Sequence, residues 1–179
     1  MQLELISLDR AGAAAVAGIT EAHIADWMAK QGLFPEKQPG NGARAPFMIW
    51  DVISLATIKA LLDAGFVPAA AVEAIRPYSP YGALRIGEAS DSPAVTGDFR
   101  LAQNGEGRWV GRDGPDVKVS LQVRMWPIFD EVFPRFCERV SHDAKAVPPE
   151  QMRRAIEEYR AEIAERRANR FEHHPIPDA

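Results

Sequence analysis

An α+β chain is predicted from two contrasting patterns. Over the first 76 residues apolar side chains recur at helical spacing in short runs broken by Gly and Pro. Further on, Val117, Val119, Leu121, Val123 and Met125 alternate with Lys118, Ser120, Gln122 and Arg124, as one face of a strand does. A stripe of Ile128, Phe129, Val132, Phe133, Phe136, Cys137 and Val140 then makes a helix fit to cover a sheet. The expected order is helix, turn, helix and two-stranded wing, then a small antiparallel β-sheet with its covering helix, then a long C-terminal helix.

Leu3 to Ile6 is a short strand or an extended lead-in. Asp9 is placed to cap a helix from Arg10 to Ala17, whose alanines suit close packing. Gly18 ends that run, and Thr20 can cap a second helix by turning its hydroxyl onto the free amides of the first turn. In the second helix Ile24, Trp27, Met28 and Gln31 form the inner face. Ala22, Ala25, Asp26 and Ala29 lie opposite, flanked by His23 and Lys30.

Gly32-Leu33-Phe34-Pro35 stops this helix. Pro39-Gly40-Asn41-Gly42 reads as a hairpin turn, because Asn and Gly adopt the positive φ such turns need, and Ala45 to Ile49 returns as a strand. Trp50 to Ala64 is a helix with Ile53, Leu55, Ile58, Leu61 and Leu62 on a wide buried face. Gly65 ends it, and Pro68 opens a short helix to Ile75.

Pro, Ser, Gly and Tyr dominate 77–97, which reads as a linker between a first domain, 1–76, and a second unit, 98–142. Asp98 to Gln103 and Arg108 to Val110 are strands about the turn Asn104 to Gly107, and the alternating strand completes a three-stranded sheet before Pro127 opens the covering helix. So small a unit has a small core, so it should pair with the first domain or with a second copy; it is assigned to dimerisation or effector binding. Pro148 and Pro149 start the last helix, within 148–172. Met152, Ile156, Tyr159 and Ile163 give it a narrow seam, and Arg153 with Glu157, Arg154 with Glu158 and Glu162 with Arg166 stand at i,i+4.

The apolar share of 46% and charged share of 26% are ordinary for a folded chain. Cys137 is the single cysteine, which excludes an internal disulfide framework. No basic region precedes an apolar run at the N-terminus, and no apolar stretch nears the roughly 20 residues that span a bilayer; a cytoplasmic protein with no membrane association is expected. Cys137, His142 and Asp143 are too few ligands for a metal, and the glycines of 104–114 lack the Lys-Ser/Thr ending of a phosphate loop. With no Ser/His/Asp or paired-carboxylate spacing, neither an enzyme nor a cofactor is expected.

Gly32-Leu33-Phe34-Pro35, then Asn41-Gly42-Ala43-Arg44, then Asp51-Val52 opening a helix and Ala64-Gly65-Phe66 closing it, stand in an order and spacing that resembles the DNA-binding domain of MerR-type transcription regulators, over roughly the first 76 residues. The resemblance implies a winged helix-turn-helix, with Glu21 to Gln31 in the major groove, the Lys37 to Arg44 wing on the backbone, and a homodimer on a two-fold site of double-stranded DNA. RNA polymerase or another protein is the further partner such a regulator would meet. Two features depart from the family. Ala25-Asp26-Trp27-Met28 stands where an Arg followed by aromatic residues is usual, and no cysteine-bearing metal loop is present.

The residues expected to bind DNA are Thr20, Ala22, His23, Asp26, Lys30, Lys37, Asn41 and Arg44. Alanine can contact a thymine methyl, Asp26 can accept from cytosine, and Lys30 can reach phosphate or guanine. Lys37 and Arg44 would hold phosphates and fix register. Charge works against strong binding: the net is −4, and the first eighty residues set Arg10, Lys30, Lys37, Arg44, Lys59 and Arg76 against eight acids.

The leading expectation is a homodimeric bacterial or phage transcription regulator. The same small, nearly neutral helix face would also suit a winged-helix adaptor that binds protein, or a phage DNA-packaging recognition subunit. A small-molecule pocket in the second unit, with Trp109 and Trp126 as lining residues, is a third reading.

Overall fold

A computed structural model of the chain describes residues 7–37, 46–76, 98–103, 109–110, 119–143, 150–151, 153–158, 160–161 and 164–165. In chain order come β1 (Ser7–Leu8), α1 (Arg10–Ala17), α2 (Glu21–Gln31), a 3-10 turn (Pro35–Lys37), β2 (Phe47–Met48), α3 (Ile49–Asp63) and α4 (Pro68–Ile75). After these come β3 (Asp98–Gln103), β4 (Trp109–Val110), β5 (Val119–Arg124) and α5 (Met125–Asp143), and the described positions from 150 onward are helical. The chain is α+β. The expected turn at Pro39 to Gly42, the lead-in at Leu3 to Ile6 and the linker 77–97 lie outside the described residues.

The first two helices begin and end where their residue chemistry places them. Asp9 Oδ1 accepts the Gly12 amide at 2.7 Å, giving one orphan donor of the first turn a partner. Gly18, at φ 71, turns its own amide back onto the carbonyls of Ala14 and Ala15, a conformation an L side chain resists. The Thr20 hydroxyl then accepts the His23 amide at 3.2 Å to start α2.

α3 is the helix on which the others stack. Ile49, Val52, Ile53, Ser54, Leu55, Thr57, Ile58 and Leu61 are all buried, which exceeds the single face expected. The reason is that α1, α4 and α5 all pack against it. Its two buried hydroxyls fold back on the helix itself, Ser54 donating to the Trp50 carbonyl at 2.9 Å and Thr57 to the Ile53 carbonyl at 2.8 Å.

The strand entering α3 pairs with the N-terminal strand. β2 runs antiparallel to β1, with Ser7 opposite Met48 and Leu8 opposite Phe47. Leu8 and Phe47 both point into the core.

The second sheet has the order β4-β3-β5, both pairs antiparallel, with Leu101 opposite Leu121 and Phe99 opposite Val123. Leu101 and Val123 are buried while Gln122 and Arg124 are exposed, which keeps the expected alternation. Met125 is a correction: it opens α5 and does not end the strand. Pro127 thereby falls in the first helical turn, where an amide would find no intrahelical acceptor, so the ring does no harm there. Pro134 lies inside the same helix, which continues past it to Asp143.

Phe129, Val132, Phe133, Phe136, Cys137 and Val140 on α5 join one core cluster with residues of α1, α2, α3 and α4. Trp50 of α3 stacks on Phe129 with centroids 6.3 Å apart, and Phe129 stacks on Phe133 at 5.0 Å. The first domain thus covers the apolar stripe within one chain. The small size of the second unit was the physical reason for expecting a second copy there, and α1 and α3 already meet it.

Ala155 and Ile156 of the last helical positions are buried, and the Arg160 guanidinium lies 5.9 Å from the centre of the Phe133 ring. Arg154 pairs with Glu158 at 2.9 Å as its spacing suggests, whereas Arg153 stands 4.0 Å from Glu150, one turn back, and not beside Glu157. None of the described helices is long and apolar enough to cross a membrane.

Because Ile58 is fully buried beneath several helices, the walls around it cannot collapse freely. Ile58→Ala should lower stability by about 2–5 kcal/mol in urea unfolding, and a loss under about 1 kcal/mol would show that the α3 surroundings are loosely packed.

Candidate nucleic-acid interface

α2 buries Ile24, Trp27 and Met28 and is packed by α1 and α4. Gln31, placed by the periodicity on the inner face, is only half-buried. The opposite side carries Glu21, Ala22, His23, Ala29 and Lys30, all exposed, with Ala25 and Asp26 half-buried between them. Of the outward positions inferred from periodicity, Ala22 and Ala29 are exposed, with the flanking His23 and Lys30, and Ala25 and Asp26 are half-buried.

Thr20 and His23 form a reciprocal cap. The Thr20 hydroxyl accepts the His23 amide, and His23 Nδ1 accepts the Thr20 amide at 3.5 Å. The imidazole also stacks on Trp27, with centroids 5.7 Å apart and planes within 8°. An accepting Nδ1 leaves the proton of a neutral ring on Nε2, so the exposed edge of His23 is a hydrogen-bond donor. Thr20 serves helix start first, and any contact it makes outward is secondary.

Asp26 and Lys30 pair across one turn at 2.5 Å, with side chains 45% and 70% exposed. A surface pair of this kind is worth at most about 1 kcal/mol, so either group can exchange its partner for a phosphate or a base edge. Their charges cancel, and Glu21 leaves the face with one net negative charge.

Lys37 is turned away from solvent. Its side chain is 6% exposed; Nζ donates to the Pro46 carbonyl at 2.8 Å, pairs with Asp51 Oδ2 at 3.0 Å and lies 5.6 Å from the centre of the Phe47 ring. The phosphate contact expected of it would require breaking all three. Lys37 ends the 3-10 turn and Asp51 lies in the first turn of α3, so no pattern within one element gives a sign of the pair. Asn41 and Arg44 lie outside the described residues.

Asp51 is the acceptor at the centre of this cluster, since its Oδ2 also takes the Met48 amide at 2.8 Å at the start of α3. Burial pushes its carboxyl above the ordinary carboxylate value, with the Met48 amide and then Lys37 opposing. Beside it opens a cleft of about 190 Å³ bordered by Phe34, Glu36, Trp50, Ser54 and Arg76 among others. Phe34 holds φ at 50°, an uncommon conformation for a residue with a side chain, and its ring meets Phe47 edge-on at 6.0 Å. Arg76 donates to the Gln31 carbonyl at 3.2 Å, tying the end of α4 to the end of α2.

The remaining expected features fall elsewhere. Trp126 is half-buried and meets Phe129 edge-on at 5.9 Å, which makes it part of the α5 packing; the Trp109 side chain lies outside the described residues. Burial pushes the Cys137 thiol up to about 11, with Arg160 opposing, so it stays protonated. Among the described residues no group of three His, Cys, Asp or Glu side chains is placed to hold a metal ion. Comparison with protein-family models, with curated proteins and with solved structures finds no match.

Two outcomes follow from the titrating groups. A folded-state carboxyl above its unfolded value keeps its proton longer, so the stability Asp51 contributes is present below the ordinary value of 3.8 and is lost as pH rises through the folded value. Urea unfolding across pH should therefore show wild type losing stability relative to Asp51→Asn as pH climbs above 3.8; a relative gain on raising pH would contradict it. At pH 8 a thiol-exchange reagent should modify Cys137 only as fast as the chain unfolds, and rapid modification of the native protein would contradict its burial.

Proposed function

We propose that this chain is a DNA-binding transcriptional regulator of the MerR-like class, with α1 and α2 as the helix-turn-helix of a winged domain. One observation carries the reading: α2 is joined to α1 by the short turn Gly18-Ile19-Thr20, is buried on one side only, and presents an outer face of small side chains with the donors His23 and Lys30 beside the carboxylates Glu21 and Asp26. That is the form of a helix that enters a major groove. Ala22 and Ala29 would meet thymine methyls, the His23 Nε2 proton a purine N7 or a phosphate, and Lys30 a phosphate or guanine once it leaves Asp26. Asn41 and Arg44 are assigned to the backbone, and two copies on a two-fold site would double a sparse set of cations. A cytoplasmic setting and contact with RNA polymerase belong to the same reading.

With Lys37 withdrawn and Lys30 paired, little free positive charge remains on this side. Affinity would rest on shape and apolar contact more than on phosphate neutralisation, so salt should weaken it only gently. The same scarcity of free positive charge favours a second reading, a winged-helix adaptor or DNA-packaging recognition subunit that meets protein through α2.

Electrophoretic shift of genomic fragments at low and moderate salt separates the two. Retention of a subset of fragments is expected, with Ala29→Glu weakening it at least tenfold while thermal unfolding stays unchanged, because Ala29 is exposed and the new charge faces phosphate. A protein partner captured with no shift on any fragment would point to the adaptor, and a ring of more than two copies to packaging.

A further inference from the structure

A cleft of about 190 Å³ lies where the segment after α2, the first turns of α3 and the end of α4 come together. Leu33 and Ile75 line it as buried apolar side chains, and Phe34 and Trp50 as half-buried aromatic ones. An engineered cavity of about 150 Å³ walled by such residues holds a benzene ring, so this cleft has room for one ring and not for a fused or nucleotide-sized ligand.

Three charged side chains border the same space, and they are not equally committed. Asp51 is taken up by Lys37 at 3.0 Å and by the Met48 amide at 2.8 Å. Glu36 is exposed, and its carboxylate makes no ion pair or hydrogen bond among the described residues. Arg76, also exposed, gives an Nη1 hydrogen to the Gln31 carbonyl at 3.2 Å and has no carboxylate partner among the described residues. That bond holds the guanidinium in place with donors to spare. The pair of Lys37 and Asp51 has no net charge, which leaves one carboxylate and one guanidinium. An anion alone would be opposed by Glu36 and a cation alone by Arg76, whereas a molecule that carries both charges suits both.

The backbone marks the same place independently. Phe34 holds φ at 50°, and it is the one residue with a side chain at positive φ among the described residues. Such a conformation costs free energy, persists only where the surroundings fix it, and clusters at ligand sites. Here it falls on a residue of the lining.

We propose that this cleft binds a free α-amino acid with a single-ring side chain, its carboxylate on Arg76, its ammonium on Glu36 and its ring against Phe34 and Trp50. Such binding is independent of any role of α2 in DNA recognition.

L-phenylalanine is the probe. Added to the isotopically labelled full chain up to about 10 mM, a range that covers weak binding of so small a ligand, it should saturably shift the amide resonances of Phe34, Glu36, Trp50 and Arg76 and leave β3 and β5 unmoved. Hydrocinnamate, which lacks the ammonium, and phenethylamine, which lacks the carboxylate, should each bind roughly tenfold more weakly, the loss of one charge-assisted hydrogen bond. Glu36→Gln, at an exposed side chain, should melt as wild type does, weaken L-phenylalanine by a similar factor and tighten hydrocinnamate, because the opposing carboxylate is gone. A folding defect cannot produce that exchange of preference. No shift at the highest concentration, shifts centred away from the cleft, equal binding of the three compounds, or an unchanged order of preference in Glu36→Gln would each overturn the assignment.

Discussion

Burial of α3 on nearly every side is the constraint from which the arrangement follows. A helix with Ile49, Val52, Ile53, Leu55, Ile58 and Leu61 inside the protein must be covered from several directions, and no single neighbour can do it. α1 and α4 supply part of the cover and α5 the rest, so α5 is packed into one core with the helices of the first 76 residues. α2 is held against α1 and α4, outside that central layer, which is why its far side stays open. The exposed face of α2 is thus a consequence of where the apolar surface had to go.

The same geometry explains the electrostatics. The start of α3 lies close to the points where 38–45 leaves and rejoins the fold, and its first-turn amide needs an acceptor. Asp51 provides it and is thereby buried, and a buried carboxylate needs a cation; Lys37 is that cation, drawn inward over Phe47. What a sequence reader counts as a surface charge is committed to the interior. The local positive field is weaker than the composition suggests, and any recognition by α2 must lean on methyl contacts, the His23 edge and one exchangeable lysine.

Local chemistry was legible wherever neighbours in sequence settle it. The caps at Asp9 and Thr20, the left-handed turn at Gly18, the inward Trp27 and outward Ala29, and the alternation ending in Arg124 each follow from side chains within a few residues. Features that depend on distant partners were not. β2 was expected to close a wing hairpin, yet its described partner is β1; Met125 reads as strand by alternation, yet it opens α5 and meets the Thr57 hydroxyl with its sulfur at 4.0 Å. The inward turn of Lys37 belongs to the same class, because no pattern short of the fold brings Pro46 and Asp51 to it.

The central claim is that a nucleic acid duplex is met by the outer side of α2. Amide resonances of the isotopically labelled full chain, followed as a duplex carrying a retained genomic fragment is added, test it most directly. The account predicts that shifts concentrate on Ala22, His23, Ala29 and Lys30, with α5 silent. Shifts centred on α5 or on the β4-β3-β5 sheet, with residues 21–30 unchanged, would contradict it.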